Sequence, residues 1–285
     1  MKPASSATVT RPIGDRFPVP VICPAGGETI APLQAAARHV SELHGDRLLR
    51  GIEYWLRPDR EPAGIDWAGA EDLLADEALL DLLLSSLDRT RGGAPHVSAS
   101  LAWKTYSYWV IAPVVFGYLT ARRVPAMGLA DFSYSVDADR DPLFLARQKT
   151  DRFLVLGHDP ARANPGTTVV ADEAEMLRTI RATVYEGHLS LVMDRITERV
   201  RLSRRLMRGS IASAIAYTAA AFADLGVEPP EVAAKTLLEL FDVPDLVEIR
   251  TDELGRLQYE RKTCCLALNA ERPAVCGTCP VSGRC

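Results

Sequence analysis

The last 25 residues, "RKTCCLALNAERPAVCGTCPVSGRC", hold five of the six cysteines in a chain of 285. Four of them, Cys264, Cys265, Cys276 and Cys279, form the pattern C-C-x10-C-x2-C, and Cys285 is the last residue. A C-x2-C pair brings two thiolates to one metal from a tight turn, and Gly277 supplies a permissive backbone between them. Two separated thiolate pairs make four soft, charged ligands, the donor set of zinc or of an iron–sulfur cluster. Adjacent cysteines are an awkward zinc knuckle, because side chains of neighbouring extended residues point to opposite sides. A cluster with two irons eases that geometry. Spacing alone leaves an iron–sulfur cluster, zinc and a redox thiol pair all open.

The rest of the chain narrows the context. Hydrophobic residues make up 47% and charged residues 25%, which marks a globular chain able to bury its own core. A net charge of −4 argues against nucleic acid as a partner, since phosphate binding needs concentrated basic surface. The N-terminus has no signal-type apolar run, and "VIAPVVFGYL" and "IASAIAYTAAAFA" are shorter than the roughly 20 residues a membrane span requires. A cytoplasmic protein with no transmembrane segment is therefore expected, and thiols kept reduced there point to metal or redox chemistry rather than disulfides.

Periodicity predicts an α+β fold, mostly helical, with a small antiparallel sheet and a C-terminal hairpin leading into the cysteine tail. Residues 1–30 carry scattered prolines and read as an extended arm. Apolar spacing predicts a helix from Leu33 to Arg50. "GAEDLLADEALLDLLLSSLDRTRGG" reads as one helix stopped by Gly92-Gly93. "SASLAWKTYSYWVIAPVVFGYLTARR" reads as another, bent or ended near Pro113. Short Phe-, Val- and Thr-rich runs between 129 and 171 predict the sheet. Helical spacing returns from Glu173 to Leu225 with an N-cap at Ser203, then in "PPEVAAKTLLELF". "LVEIRTDELGRLQYER" alternates on both sides of "DELG", as a hairpin does. Three segments follow: an N-terminal arm and helical region over 1–92, a helix-and-sheet region over 93–245 and the hairpin with its cysteine segment over 246–285.

The tail resembles the C-terminal motif of the FhuF-like ferric siderophore reductases, a family whose [2Fe-2S] cluster is held by a C-C-x10-C-x2-C arrangement. Basic residues before the pair, Leu266 after it, and Gly277 and Pro280 around the C-x2-C share the likeness. Upstream, "SLAWKTYSYWVIAPVV" and "VYEGHLSLVMDRITERVRLSRRLMRGSIASAI" are similar to two helical segments of the family. The likeness spans residues 95–285, is specific in the last 25, and departs at "MRGS", where the family pattern has Trp, Gly and Asn.

The resemblance implies that Cys264, Cys265, Cys276 and Cys279 ligate a [2Fe-2S] cluster. It also implies an oxidoreductase that passes one electron to siderophore-bound Fe(III), with Cys285 a terminal thiol outside the set. The substrate is then a ferric siderophore, expected to be of hydroxamate type. Its electron comes from a separate donor such as a ferredoxin or a reductase, because no nicotinamide, flavin or phosphate-loop motif is present. Candidate chelate contacts are Arg204, Arg205 and Arg208 from a basic run, with His188 and Trp103. The competing readings are a solvated helix face for the arginines, a core position for Trp103 with Tyr106 and Val110, and a satisfied structural histidine. A zinc-stabilised scaffold is the alternative function, and a siderophore-synthetase-like binding domain, which lacks a nucleotide motif here, is a third.

Overall fold

The computed structural model describes residues 29–36, 64–137, 144–275 and 278–281. The arm over 1–28, most of the helix expected over Leu33–Arg50, Cys276, Gly277 and Cys285 lie outside them. The fold is α+β. A helical turn over 31–36 buries Leu33 in the main core. It is followed by β1 (Ala68–Gly69), α1 (Asp72–Ala75), α2 (Glu77–Ser85), α3 (Asp88–Arg91) and α4 (Pro95–Ala121). The sheet region holds β2 (Val124–Pro125), β3 (Phe132–Val136), β4 (Phe144–Gln148), β5 (Phe153–Leu156) and β6 (Thr167–Val170). A long helix comes next, made of α5 (Glu173–Ile180), a π-helical stretch (Arg181–Leu189) and α6 (Ser190–Arg199). Then come α7 (Arg204–Ala221), α8 (Pro230–Leu240) and the hairpin β7 (Val247–Thr251) and β8 (Leu257–Arg261).

Helix α4 is the axis of the molecule. It is buried on every face from Val110 to Leu119, and from Val97 to there on all but the half-buried face of Lys104, Thr105, Tyr108 and Trp109, which is the signature of a central helix. Pro113 lies well inside it and does not end it, which leaves the bend as the expected effect; packing on all sides offsets the roughly 3 kcal/mol that an interior proline costs. The single helix expected over residues 69–93 is three short ones. Asp76 breaks it by taking an extended conformation and accepting the N–H groups of Ala78 and Leu79 at 2.8 and 3.2 Å, so an acidic residue inside the pattern caps a new helix. The expected stop holds, with Gly92 and Gly93 both at positive φ.

The sheet region also differs from expectation. It forms two three-stranded sheets, β1-β3-β4, antiparallel throughout, and β2-β5-β6, whose β5-β6 pair is parallel. Tyr106 of α4 meets Phe132, Tyr134 and Phe144 of the first sheet edge-on. The C-terminal elements follow the sequence closely. Ser203 occupies the N-cap position of α7, Pro230 opens α8, and β7 pairs with β8 from Val247↔Arg261 to Thr251↔Leu257. Asp252 closes that hairpin by accepting the N–H groups of Leu254 and Arg256. Among the described residues no helix is long and apolar enough to cross a membrane.

His188 sits in the π-helical stretch, fully buried against α4. Its Nδ1 faces the Met127 carbonyl at 2.8 Å, which can only accept, so Nδ1 carries the proton and Nε2 accepts from the Tyr106 hydroxyl at 2.7 Å. Burial pushes its pKa down from 6.5 to about 4. The unfolded chain therefore takes this proton first on acidification. The stabilising contribution is complete above about pH 6.5 and is lost as pH falls towards 4, a difference of about 3 kcal/mol. Urea unfolding at about pH 7 and about pH 4.5 should show that loss, and His188→Gln should flatten it. Equal slopes for the two proteins would place the acid sensitivity elsewhere.

Candidate metal centre

The hairpin delivers the chain to the cysteine pair by simple alternation. On β8, Leu257 and Arg261 are buried and Tyr259 is half-buried, while Gln258 and Glu260 between them are exposed. The alternation continues past the strand end, with Thr263 and Cys265 buried and Cys264 partly exposed. Adjacent cysteines thus begin on opposite sides of the chain, as extended geometry requires. Leu266 then turns the backbone at φ 63, an unfavourable region for a branched side chain. That turn directs the Leu266 N–H back onto Cys264 Sγ at 3.3 Å. An N–H aimed at a cysteine sulfur is one means by which proteins stabilise ligated thiolates.

Two helices hold this segment in place. Ser100 of α4 donates its hydroxyl to the Cys265 carbonyl at 3.0 Å, and Cys265 packs with Val97, Leu101, Ala267 and Ala270 in a small apolar cluster beside α4. From the other side, α7 presents Gly209 to Thr263. A β-carbon at Gly209 would lie 1.8 Å from Thr263 Oγ1 and 2.7 Å from its Cβ, so only glycine lets the chain pass this close before Cys264. Trp103 of α4 donates its indole N–H to the Met207 carbonyl at 2.9 Å and locks the two helices together at the same level.

The second cysteine motif meets the hairpin at Thr278. The Tyr259 hydroxyl engages the side chains of Thr278, within the C-x2-C loop, and of Ser213 on α7; burial pushes its pKa up. Residue 278 precedes Cys279 and strand β8 precedes Cys264, so one tyrosine ties the two halves of the motif to one helix. Beyond the pair, the Arg272 N–H donates to the Arg91 carbonyl and the Ala274 N–H to the Ala267 carbonyl, which folds the intervening loop back on itself. Among the described residues no three His, Cys, Asp or Glu side chains gather at one point, and Cys276 lies outside those residues. The donor chemistry fits a thiolate-bound group. Cys264 and Cys279 are partly exposed, Cys264 receives an N–H, and the three side-chain nitrogens of Arg261 are buried three residues upstream with no hydrogen-bond partner among the described residues.

The candidate chelate contacts fare differently. Trp103 has no exposed surface and ties α4 to α7, and His188 has none and is satisfied at both ring nitrogens. Neither offers an atom to a ligand at the surface, which corrects their assignment as chelate contacts. Arg204 is paired with Asp194, Arg205 with Asp245 at 2.9 Å, and Arg208 donates to the Asp242 carbonyl. Arg195 and Arg199 are likewise paired, with Glu198 and Asp81. The basic run is therefore largely neutralised by acids from its own and neighbouring elements.

Sequence reasoning missed Gly209, Ser100, Tyr259, Thr278 and Arg261. The alternation of "LQYERKT" was the available signal, since it places Arg261 and Thr263 on the face of Leu257. It missed as well a shallow depression of about 870 Å³ at the start of α4, lined by Pro95, His96 and residues 199–203. Val97, the next residue of α4, packs with Cys265. Comparison of the chain with family models, curated proteins and solved structures returned no match.

Proposed function

We propose that this chain is a ferric-siderophore reductase of FhuF-like type, in which Cys264, Cys265, Cys276 and Cys279 hold a [2Fe-2S] cluster. The observation that supports the reading is the contact of Tyr259, on the strand that leads into Cys264, with Thr278, the residue before Cys279. The resemblance of the last 25 residues adds the metal and the chemistry. The cluster would supply a single electron at low potential.

The chain's own residues supply position and access. Ser100, Gly209 and the Leu266 turn fix the cysteine pair, and burial of Cys265 against Val97 and Leu101 keeps solvent from one side. Cys264 and Cys279 stay partly exposed, so an electron has a short path to a chelate at the surface. A depression at the start of α4, one residue before Val97, has Arg199, Arg201 and His96 on its wall. No general base or nucleophile is needed. Hard oxygen ligands release iron once Fe(III) becomes Fe(II), which is softer and bound far less tightly. The electron reaches the protein from a separate donor, and the place of the reaction is the cytoplasm.

The test is single-turnover transfer. Protein reduced by dithionite and freed of excess reductant is mixed with a ferric trihydroxamate under nitrogen, and Fe(II) is read with a chromophoric chelator. About one Fe(II) per reduced chain is expected, with reoxidation of the visible spectrum on the same time course. A protein that stays reduced beside the chelate and releases no Fe(II) is not this enzyme.

A further inference from the structure

The foot of the hairpin is rich in donors that have nothing to bond. Arg261 is 3% exposed, and among the described residues its Nε, Nη1 and Nη2 find no hydrogen-bond partner. A guanidinium cannot shed its charge inside a protein, so burying it unpaired is strongly unfavourable. Two more buried groups share the condition. They are Thr263 Oγ1, two residues along the same face, and Ser210 Oγ, next to the Gly209 on which Thr263 rests. Each has a proton to give. No carboxylate of the described residues pairs with Arg261.

Position identifies the acceptor. Tyr259, Arg261 and Thr263 share the face turned to α7, since Tyr259 meets Ser213 and Thr263 meets Gly209. Alternate strand residues stand roughly 7 Å apart. Arg261 therefore lies midway between Tyr259, which touches the residue before Cys279, and Thr263, the residue before Cys264. Arg261 is shut off from open solvent, and the cysteine segments at the two ends of this face, as thiolates, are the negative charge it would meet.

We propose that Arg261, with the hydroxyls of Thr263 and Ser210, forms a built-in counter-charge for the thiolate-bound cluster and sets its reduction potential. The inference rests on the [2Fe-2S] reading above. Four thiolates leave such a centre net negative, and taking up one electron adds one more negative charge. A fixed cation beside it favours the reduced form. Arg261 takes no proton or electron itself; it is a positioning and electrostatic residue.

The test is a redox titration of the loaded protein together with thermal unfolding of loaded and metal-free forms. Arg261→Met is expected to disfavour reduction about tenfold, which for a one-electron couple is a midpoint lower by about 59 mV. Arg261→Lys keeps the charge and should recover most of the shift. In the metal-free protein Arg261→Met should raise the melting temperature, because an unpaired buried charge is gone, while in the loaded protein it should lower it. A merely structural arginine would lower both. Should the Met variant fail to fold, Arg261→Gln, which keeps donors and loses the charge, carries the same comparison with Lys. An unchanged midpoint in Met or Gln, or a metal-free form destabilised as much as the loaded one, overturns the inference. A cluster whose potential moves as stated in a protein that releases no Fe(II) from the chelate would sink the reductase reading and leave the role of Arg261 standing. A wild-type chain that holds zinc or no metal overturns both.

Discussion

Gly209→Ala is expected to unseat the cysteine pair. In an exposed helix this change gains about 1 kcal/mol in helix propensity. Here the new methyl would meet Thr263 Oγ1 at 1.8 Å and its Cβ at 2.7 Å. Rotating the threonine relieves the first contact and not the second, so the backbone before Cys264 has to move away from α7. Overpacking of this kind costs about 1–3 kcal/mol, more than the propensity returns. The loss should fall on the cysteine site as much as on stability, because Thr263 is adjacent to Cys264 and α7 also carries Ser213, which receives Tyr259. Cluster content is expected to drop severalfold. Gly209→Ala combined with Thr263→Ala should recover part of it, and Gly209→Ala with Thr263→Gly more. Undiminished iron content in the single variant would show that the close approach does not position the ligands.

The elements flanking this contact were readable from the chain to different degrees. The hairpin, α8 and the Ser203 boundary follow from alternation, proline placement and helical spacing, all of which are local. The breaks at Asp76 and Leu87 were not legible, because the apolar spacing runs through both; capping by Asp76 decides the first, and Leu87 makes no side-chain cap at the second. Pro113 does not end α4: its local cost is real, and burial of the helix on all sides there outweighs it. The parallel β5-β6 pair depends on which strands meet, which no local pattern records.

Of the candidate site, the sequence offered four cysteines and little of what surrounds them. Their spacing carries the proposed thiolate centre, whereas the contacts of Ser100 with Cys265, Gly209 with Thr263 and Tyr259 with Thr278 join residues that a linear reading does not connect. Arg204, Arg205 and Arg208 looked like a binding surface in the sequence. The structure pairs them with Asp194, Asp245 and the Asp242 carbonyl, partners that a linear reading does not connect. Trp103 and His188 are buried ties between elements, as their spacing on helices allowed.

The largest effect of all is expected at the ligands. Cys276→Ser removes one of four thiolates and should abolish the cluster's visible absorption, with iron falling at least tenfold. Cys264→Ser, Cys265→Ser and Cys279→Ser should behave alike. Cys285→Ser should keep iron and colour, since the terminal cysteine stands outside the four-ligand pattern. Colour surviving in Cys276→Ser, or lost in Cys285→Ser, would mean that the ligand set is assigned wrongly.

The most direct measurement is metal and acid-labile sulfide analysis of the wild-type chain purified without oxygen, with its absorption spectrum. About two irons and two sulfides per chain are expected, in a brown protein bleached by dithionite. A colourless protein with one zinc per chain and no sulfide would contradict that expectation, and would make the tail a structural clamp.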